Sequence, residues 1–189
     1  MAFEDYKNKP AVVIVYDGDG KGKTSACLGL TVRALGSGFK VAFAQFIKYW
    51  TVGEHRFIER IQSLYGQELV FHRGGRGFFQ AGELSAAGVS DEEHRQAAAE
   101  TYDFALRAAA SGDYGLVVCD EINNAVADGL LTEEQLENLF KRRHGSTSLC
   151  LSGRDFPKRL LKYVDIATEM KKVKHHFDDR FLANKGIDY

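Results

Sequence analysis

The residues best suited to chemistry form one glycine- and lysine-rich segment, Tyr16–Ser25, between an apolar run and a helical stretch. Glycines let the backbone wrap closely around a phosphate group, and the N–H groups of the loop and of the helix N-terminus then point at its oxygens. Lys23 adds a cation, and the Thr24 hydroxyl can hold Mg²⁺ (or Mn²⁺). We therefore expect a phosphate-binding loop with nucleotide contacts from Gly18, Asp19, Gly20, Lys21, Gly22, Lys23, Thr24 and Ser25.

This loop is a variant of the usual pattern. A strict phosphate loop has a glycine five positions before Gly22, where this chain has Asp17, and the first glycine here is Gly18. The alternative is a glycine- and lysine-rich surface turn, but the strand–loop–helix context favours phosphate binding. Lys23 is then a candidate catalytic residue, and we expect its side chain to be exposed and bonded only to phosphate.

Two acidic residues, Asp120 and Glu121, close an apolar run that begins at Leu116. In a phosphate-loop fold we expect this strand to lie beside the first one, so that its terminal carboxylate reaches the Mg²⁺ shell. A strand that ends in two acids is ordinary by itself, and the phosphate-binding loop upstream is what favours a metal site. The predicted metal-binding residues are therefore Thr24, Asp120 and Glu121, and Glu121 is also a candidate catalytic residue.

Apolar runs of strand length alternate with helical stretches along the rest of the chain. The run at 11–16 is β-branched and unbroken, which is typical of a strand buried on both faces. Further strands are expected at 40–47, 69–72, 116–120, 148–151 and 164–168, and a helix at 22–35. Ser90 and Thr132 begin capping boxes of two more helices. This alternation predicts an α/β fold, a mostly parallel sheet between helices, in one domain over residues 1–189, with loops at 49–56 and 73–89.

Composition narrows the class of protein. The 189 residues include 25 Lys+Arg and 26 Asp+Glu, a formal net charge of −1, which argues against a dedicated nucleic-acid-binding protein. The sequence has no apolar run near the roughly 18 residues of a membrane helix. Cys27, Cys119 and Cys150 are far apart and lie in apolar elements, so we expect buried free thiols and a cytoplasmic protein.

Beyond a generic phosphate loop, the sequence resembles the ATP:corrinoid adenosyltransferases, which have a RecA-like P-loop fold. Their phosphate loop is Gly-Asn-Gly-Lys-Gly-Lys-Thr, and Gly18–Thr24 matches it with Asp19 in place of the asparagine. The resemblance is strongest in Ser152-Gly153-Arg154 and at 173–178, and it runs to the last residues, 185–189. Shorter matches are Arg33-Ala34, Gln45-Phe46-Ile47-Lys48, Gly53-Glu54 and Asp120-Glu121-Ile122-Asn123.

The resemblance implies a reaction. A Co(I) corrinoid, reduced by a flavoprotein partner, attacks the 5′-carbon of ATP and forms a cobalt–carbon bond, with release of triphosphate. It also implies Mg²⁺, a homodimer, and an ATP molecule that lies reversed in the loop. Lys21 and Lys23 suit a tetra-anionic leaving group. Arg154, at the expected end of a strand, can meet phosphate or a corrinoid amide, and the alternative is a surface arginine paired with Asp155.

One departure from the family concerns the corrinoid. The family's Gly-Phe-x-Trp loop is represented by Gly77-Phe78-Phe79-Gln80, in which the tryptophan is replaced. By the resemblance, we expect Phe78 to press against the lower face of the corrinoid and exclude its axial base and water, with Phe79 compensating for the missing tryptophan. The alternative is that both rings fill the core beneath a loop.

Two other functions stay open at this point. One is a RecA-like NTPase or kinase of another kind, in which Glu121 orients water or a substrate hydroxyl. The other is a nucleotide-gated regulatory or nucleic-acid-binding module that uses the loop at 73–76. The matches at the C-terminal end favour the adenosyltransferase.

Overall fold

A parallel sheet organises the protein in the computed structural model, which describes residues 5–77, 79 and 88–188. Its strands are β1 (Val13–Asp17), β2 (Val41–Gln45), β3 (Leu69–Arg73), β4 (Leu116–Asp120), β5 (Ser148–Ser152) and β6 (Ile166–Glu169). The helices are α1 (Lys23–Gly36), α2 (Gly53–Tyr65), α3 (Asp91–Ser111), α4 (Ile122–Ala127) and α5 (Glu133–Arg142). All five neighbouring strand pairs are parallel, in the order β3-β2-β4-β5-β1-β6. The predicted α/β fold is confirmed.

Both faces of this sheet are covered by helices, because successive side chains of a strand point to opposite faces. In β2, Ala42 and Ala44 belong to the core that includes α3 and α5. Val41 and Phe43 belong to the other core, which includes α1 and α2. Burial on both sides explains why the central strands are continuous apolar runs.

The helix starts that the sequence predicts by capping boxes are confirmed. Ser90 Oγ accepts a hydrogen bond from the Glu93 N–H, and Thr132 Oγ1 accepts one from the Gln135 N–H, each at 3.2 Å. Each bond satisfies a backbone donor that the first helical turn leaves free.

The predicted loop at 49–56 is wrong in its second half, because α2 begins at Gly53. The residue before the helix is Val52, whose side chain has no hydrogen-bond acceptor. At this position the sequence therefore lacks the Ser, Thr, Asp or Asn that usually indicates the start of a helix. His55 takes the place of such a residue, since its Nδ1 accepts a hydrogen bond from the Val52 N–H at 3.3 Å.

The prediction that β1 and β4 are adjacent in the sheet is also wrong, because β5 lies between them. Strand order depends on long-range pairing, which a pattern within one strand does not encode. The acidic end of β4 nevertheless comes close to α1, because that helix packs across both β4 and β5.

The three cysteines are buried and free, as predicted. The sulfur atoms of Cys27 and Cys150 lie 3.6 Å apart between α1 and β5. Within the part of the chain that the structure describes, no helix combines the length and apolar character needed to cross a bilayer.

Candidate active site

A cleft of about 480 Å³ opens where the carboxyl ends of β1, β4 and β5 meet the start of α1. Ligands of open parallel sheets bind at this edge. The cleft is lined by the loop residues 19–25 together with Lys48, Glu54, Glu121, Arg154 and the C-terminal residues 186–188. The structure therefore brings together most of the residues that the sequence marked for nucleotide and metal binding.

The glycines of the phosphate-binding loop are required by its shape. Gly18 and Gly22 have φ values of 108° and 104°, a conformation that favours glycine. A Cβ atom at Gly18 or Gly20 would lie 2.6 Å from the Met170 carbonyl oxygen, so the segment after β6 packs directly on the loop. The Gly20 N–H donates to that same oxygen. The Gly20 N–H is therefore engaged within the protein, whereas the N–H groups at the N-terminus of α1 remain suited to meet a phosphate.

The expectation that Lys23 is exposed and bonded only to phosphate is wrong. Its ammonium is half-buried and donates to the carbonyl oxygens of Gly18 (2.6 Å) and Gly20 (2.7 Å). Burial, followed by the nearby Arg154, lowers the pKa of Lys23, and a partly buried ammonium needs acceptors, which the loop itself supplies. An ammonium has three protons, so these two bonds leave one of them for a ligand.

Thr24 and Asp120 are in direct contact. The Thr24 hydroxyl lies 3.2 Å and 3.1 Å from the two carboxylate oxygens of Asp120, which is buried at the end of β4. The Ser152 hydroxyl donates to Asp120 Oδ1 at 2.6 Å and accepts from the Glu121 N–H at 3.0 Å. The end of β5 thus fixes both acidic residues.

Glu121 is held in an unusual state. Its φ is 65°, and its Oε2 atom is buried with no hydrogen-bond partner among the residues that the structure describes. Burial, and then the charge of Asp120, raises the pKa of Glu121 to about 7. Burial and a neighbouring carboxylate both make the negative charge of Glu121 unfavourable. A cation bound between the two carboxylates would therefore lower the free energy of the folded protein.

This donor set fits Mg²⁺, which binds hard oxygen ligands and is usually held by one or two carboxylates plus substrate phosphates. Within the described ranges, the structure contains no group of three His, Cys, Asp or Glu side chains arranged to hold a metal by themselves. The hydroxyl of Thr24 and the carboxylates of Asp120 and Glu121 are the residues that would hold such an ion.

Lys48 and Glu54 belong to the cleft, although sequence reasoning gave them no role. Lys48 Nζ donates to Glu54 Oε1 at 2.7 Å and to the Thr24 hydroxyl at 3.3 Å. Burial alone would favour the neutral amine, but the carboxylates of Asp120, Glu121 and Glu54 raise the pKa of Lys48 above its ordinary value. The sequence signal that could have identified this cation is its position, because Lys48 lies three residues past the end of an apolar strand.

The C-terminal segment lies against the phosphate-binding loop. Lys21 Nζ forms an ion pair with Asp188 Oδ1 at 2.9 Å, and the Lys172 N–H donates to Asp19 Oδ1 at 3.1 Å. The Asn184 N–H, and then Lys21, lower the pKa of Asp188 to about 2. A second cavity of about 420 Å³ beside the loop is lined mainly by cationic and imidazole side chains from Lys21 and residues 171–176.

Phe79 contacts the start of α3 instead of the cleft. Its ring meets His94 edge-on with centroids 5.4 Å apart, the Arg95 guanidinium lies 6.0 Å from its centroid, and it packs against the core. These are the contacts of a ring that fills space beneath a loop, and its role toward a corrinoid stays a prediction. Phe78 and Gln80 lie outside the described residues.

The sequence matches a known family over nearly its whole length. The model of the ATP:corrinoid adenosyltransferase family BtuR/CobO/CobP matches residues 9–189. The chain belongs to this family. Corrinoid adenosyltransferases of Pseudomonas aeruginosa and Escherichia coli strain K12 are 32% and 33% identical to it, over 97% of this chain and 86% and 88% of theirs. The corrinoid adenosyltransferase CobA of Salmonella typhimurium is 32% identical over 94% of this chain and 85% of its own.

Family membership makes the protein a transferase, and a solved structure supports the fold. The flagellar accessory protein FlaH from Methanocaldococcus jannaschii superposes with a TM-score of 0.54 at 10% identity, over 84% of this chain and 70% of that one. At that identity the likeness concerns the fold alone. It agrees with the six-stranded, all-parallel α/β fold described above.

Proposed function

We propose that the protein transfers the 5′-deoxyadenosyl group of ATP to the Co(I) ion of a corrinoid and releases triphosphate. The observation that carries this proposal is the cleft itself. It joins the phosphate-binding loop, the Asp120-Glu121 pair and the C-terminal segment that most resembles the adenosyltransferase family.

The cleft suits a polyphosphate with a large negative charge. The N-terminus of α1 and the remaining proton of Lys23 supply donors to one end of the chain of phosphates. Arg154 lines the same cleft, and Lys21 lies between it and the basic second cavity. Charge-assisted hydrogen bonds of this kind are the strong ones, and they grow stronger as charge develops on a departing group.

A Mg²⁺ ion (or Mn²⁺), when bound, would neutralise the charge that develops on the triphosphate. Thr24, Asp120 and Glu121 would hold it, by the contacts described above. Lys48 carries a positive charge beside these acids, and this lowers their mutual repulsion while the cleft is empty.

The electron balance of the reaction explains what the protein has to do. Co(I) of the substrate donates an electron pair to C5′ of ATP, the C5′–O bond breaks, and its electron pair leaves with the triphosphate. The protein binds the leaving group and turns C5′ toward the corrinoid, while water is kept from the γ-phosphate. Uniform binding of ATP would not accelerate this step, so contacts that strengthen on departure matter most.

The remaining parts of the proposal follow from the family. The substrates are ATP and a corrinoid, an electron-donating flavoprotein reduces the cobalt, and the protein acts as a homodimer in the cytoplasm, as one domain over residues 1–189. By the same resemblance, Phe78 presses on the lower face of the corrinoid. No nucleic acid or membrane takes part.

The test is incubation of the protein with ATP, Mg²⁺ and chemically reduced cobalamin while the absorbance spectrum is recorded. The proposal predicts the spectrum of a light-sensitive alkylcobalamin that forms only with ATP present. An NTPase or kinase would consume ATP with no change at cobalt, and a non-enzymatic nucleotide-binding module would leave both unchanged. Either result would contradict the proposal.

A further inference from the structure

Buried polar contacts continue from Asp120 away from the cleft into the interior of the protein. They run through Gln45 and His55, which are 0% and 1% exposed, to Arg73 at the end of β3. Buried polar side chains lower the stability of a protein unless their donors and acceptors are paired. A connected series of such side chains beside a candidate site therefore suggests a role in that site.

Gln45 is the first member of the series. It ends β2, and it pairs in register with Asp120 at the end of the neighbouring strand β4. Its Nε2 donates to Asp120 Oδ2 at 2.9 Å, and its Oε1 lies 2.5 Å from His55 Nε2. The amide nitrogen can only donate and the amide oxygen can only accept, so the His55 Nε2–H must be the donor in the second bond.

His55 is fixed in the same way from its other side. Its Nδ1 accepts from the Val52 N–H at 3.3 Å and from Arg73 Nη1 at 3.2 Å. With Nδ1 an acceptor and Nε2 a donor, the imidazole is neutral and has a single tautomer. Each member of the series therefore has one permitted role, and the Gln45 amide cannot turn over without losing two buried bonds.

Asp120 is consequently oriented by three separate elements. Gln45 donates to Oδ2 from β2, Ser152 donates to Oδ1 from β5, and the Thr24 hydroxyl of α1 reaches both oxygens. The first two donors lie on the sheet, whereas Thr24 is itself a candidate metal ligand. Outer partners that orient a ligating carboxylate tune the affinity of a metal site.

We propose that Gln45 and His55 are positioning residues that hold the Asp120 carboxylate in the orientation that receives the metal ion of the metal–nucleotide substrate. This inference rests on the proposed function and deepens it. His55 touches neither Asp120 nor the cleft, and it acts through Gln45 alone.

Gln45, His55 and the nearby Ile47 also join the site to the loop after β3. The Gly74 N–H donates to the Gln45 carbonyl at 3.0 Å, and the Gly77 N–H donates to the Ile47 carbonyl at 3.0 Å. Arg73, the last residue of β3, bonds to His55. The orientation of Asp120 and the path of the loop that precedes Phe78 are therefore set by one group of contacts.

The experiment compares binding of Mn²⁺·ATP with binding of ATP in EDTA, both by titration calorimetry, so that no activity is involved. His55→Phe removes the donor to Gln45 and keeps a ring of similar size. His55→Gln places an amide nitrogen close to the position of Nε2 and can restore that donor. Gln45→Met removes the donor to Asp120. Thr147→Val is the matched control. It deletes another hydrogen bond of a buried side chain, 2.8 Å to the Tyr114 carbonyl, just before β5. Thr147 lies at the amino-terminal ends of the strands, whereas the cleft lies at their carboxyl ends.

We expect His55→Phe and Gln45→Met to weaken Mn²⁺·ATP binding about tenfold, with ATP binding in EDTA within about twofold of the parent. His55→Gln should recover most of the loss, and Thr147→Val should bind like the parent. Equal behaviour of His55→Phe and His55→Gln, or equal losses with and without metal, would overturn the inference. If Gln45→Met does not fold, the two His55 variants decide the matter.

The failure of the proposed function would be seen separately, in the parent protein. A parent that binds Mn²⁺·ATP no more tightly than ATP in EDTA contradicts the metal role, and with it this inference. A parent that prefers Mn²⁺·ATP, with variants that do the same, overturns the inference alone.

Discussion

At the scale of single residues, Lys23 combines two duties that the sequence does not distinguish. Its ammonium donates to the carbonyls of Gly18 and Gly20. We propose that the remaining ammonium proton binds a phosphate. We expect Lys23→Ala to weaken ATP binding by about 1.5–3 kcal/mol, the range for a hydrogen bond to a charged group, and to reduce adenosyl transfer further.

Titration calorimetry with ATP, together with turnover of reduced cobalamin, measures this effect. Lys141→Ala is the control, because that lysine is exposed on α5 and pairs only with Glu137 among the ion pairs of the structure's described residues. Binding and turnover of Lys23→Ala within twofold of the parent would contradict the assignment of the loop.

Glu121 illustrates how a site can lower the stability of the protein that contains it. Its pKa is raised from the ordinary 4.5 to about 7. The protonated form is therefore favoured on folding, and the stability present below about pH 4.5 is lost as the pH rises through 7. Glu121→Gln removes the ionisation. In metal-free buffer at pH 8 it should raise the free energy of unfolding by about 1 kcal/mol or more, which is roughly 2–4 °C in melting temperature per kcal/mol.

The same variant should melt like the parent at pH 4.5, where the Glu121 carboxyl is already protonated in the folded state. Thermal melts at the two pH values, in the presence of EDTA, measure the difference. A variant less stable than the parent at pH 8 would show that burial and Asp120 do not strain this carboxyl.

At the scale of elements, α2 is tied to the site by the pair of Lys48 and Glu54, both largely buried. Removing the lysine leaves Glu54, Asp120 and Glu121 without their shared cation, whereas removing the charge of Glu54 leaves the lysine with two acids. We expect Lys48→Met to lower the free energy of unfolding at pH 8 by about 1–3 kcal/mol, and Glu54→Gln to cost clearly less. Urea unfolding of both variants without metal gives the comparison, and equal losses would contradict this account of the charges.

The elements that could be predicted are those whose sequence signals lie within the element itself. The β-branched run of β1, the glycine loop before α1 and the capping boxes of α3 and α5 each carry their information within a few residues. The start of α2 was missed because a histidine, three residues into the segment, bonds the backbone where a serine or threonine usually does. The contacts of Gln45 with Asp120 and His55 could not be predicted, since they depend on which strands pair and in what register.

At the scale of the whole molecule, the strand order explains why the predicted site residues meet even though the predicted strand adjacency is wrong. One strand, β5, separates β1 from β4, yet it contributes Ser152 to the two acids and carries the chain on to Arg154 in the cleft. The C-terminal segment then returns to the phosphate-binding loop through Met170 and Asp188. The parts of the sequence that most resemble the adenosyltransferases are thus close together in the folded protein, although they are far apart along the chain.

In the proposed reaction, the phosphate chain of ATP leaves intact while its 5′-carbon bonds to cobalt. The most direct measurement is the balance of products in a single turnover, with chemically generated Co(I) corrinoid, ATP and Mg²⁺. Light-sensitive alkylcorrinoid and inorganic triphosphate are quantified from the same sample. We expect equal amounts of the two and no ADP. ADP with inorganic phosphate and an unaltered corrinoid would contradict this expectation.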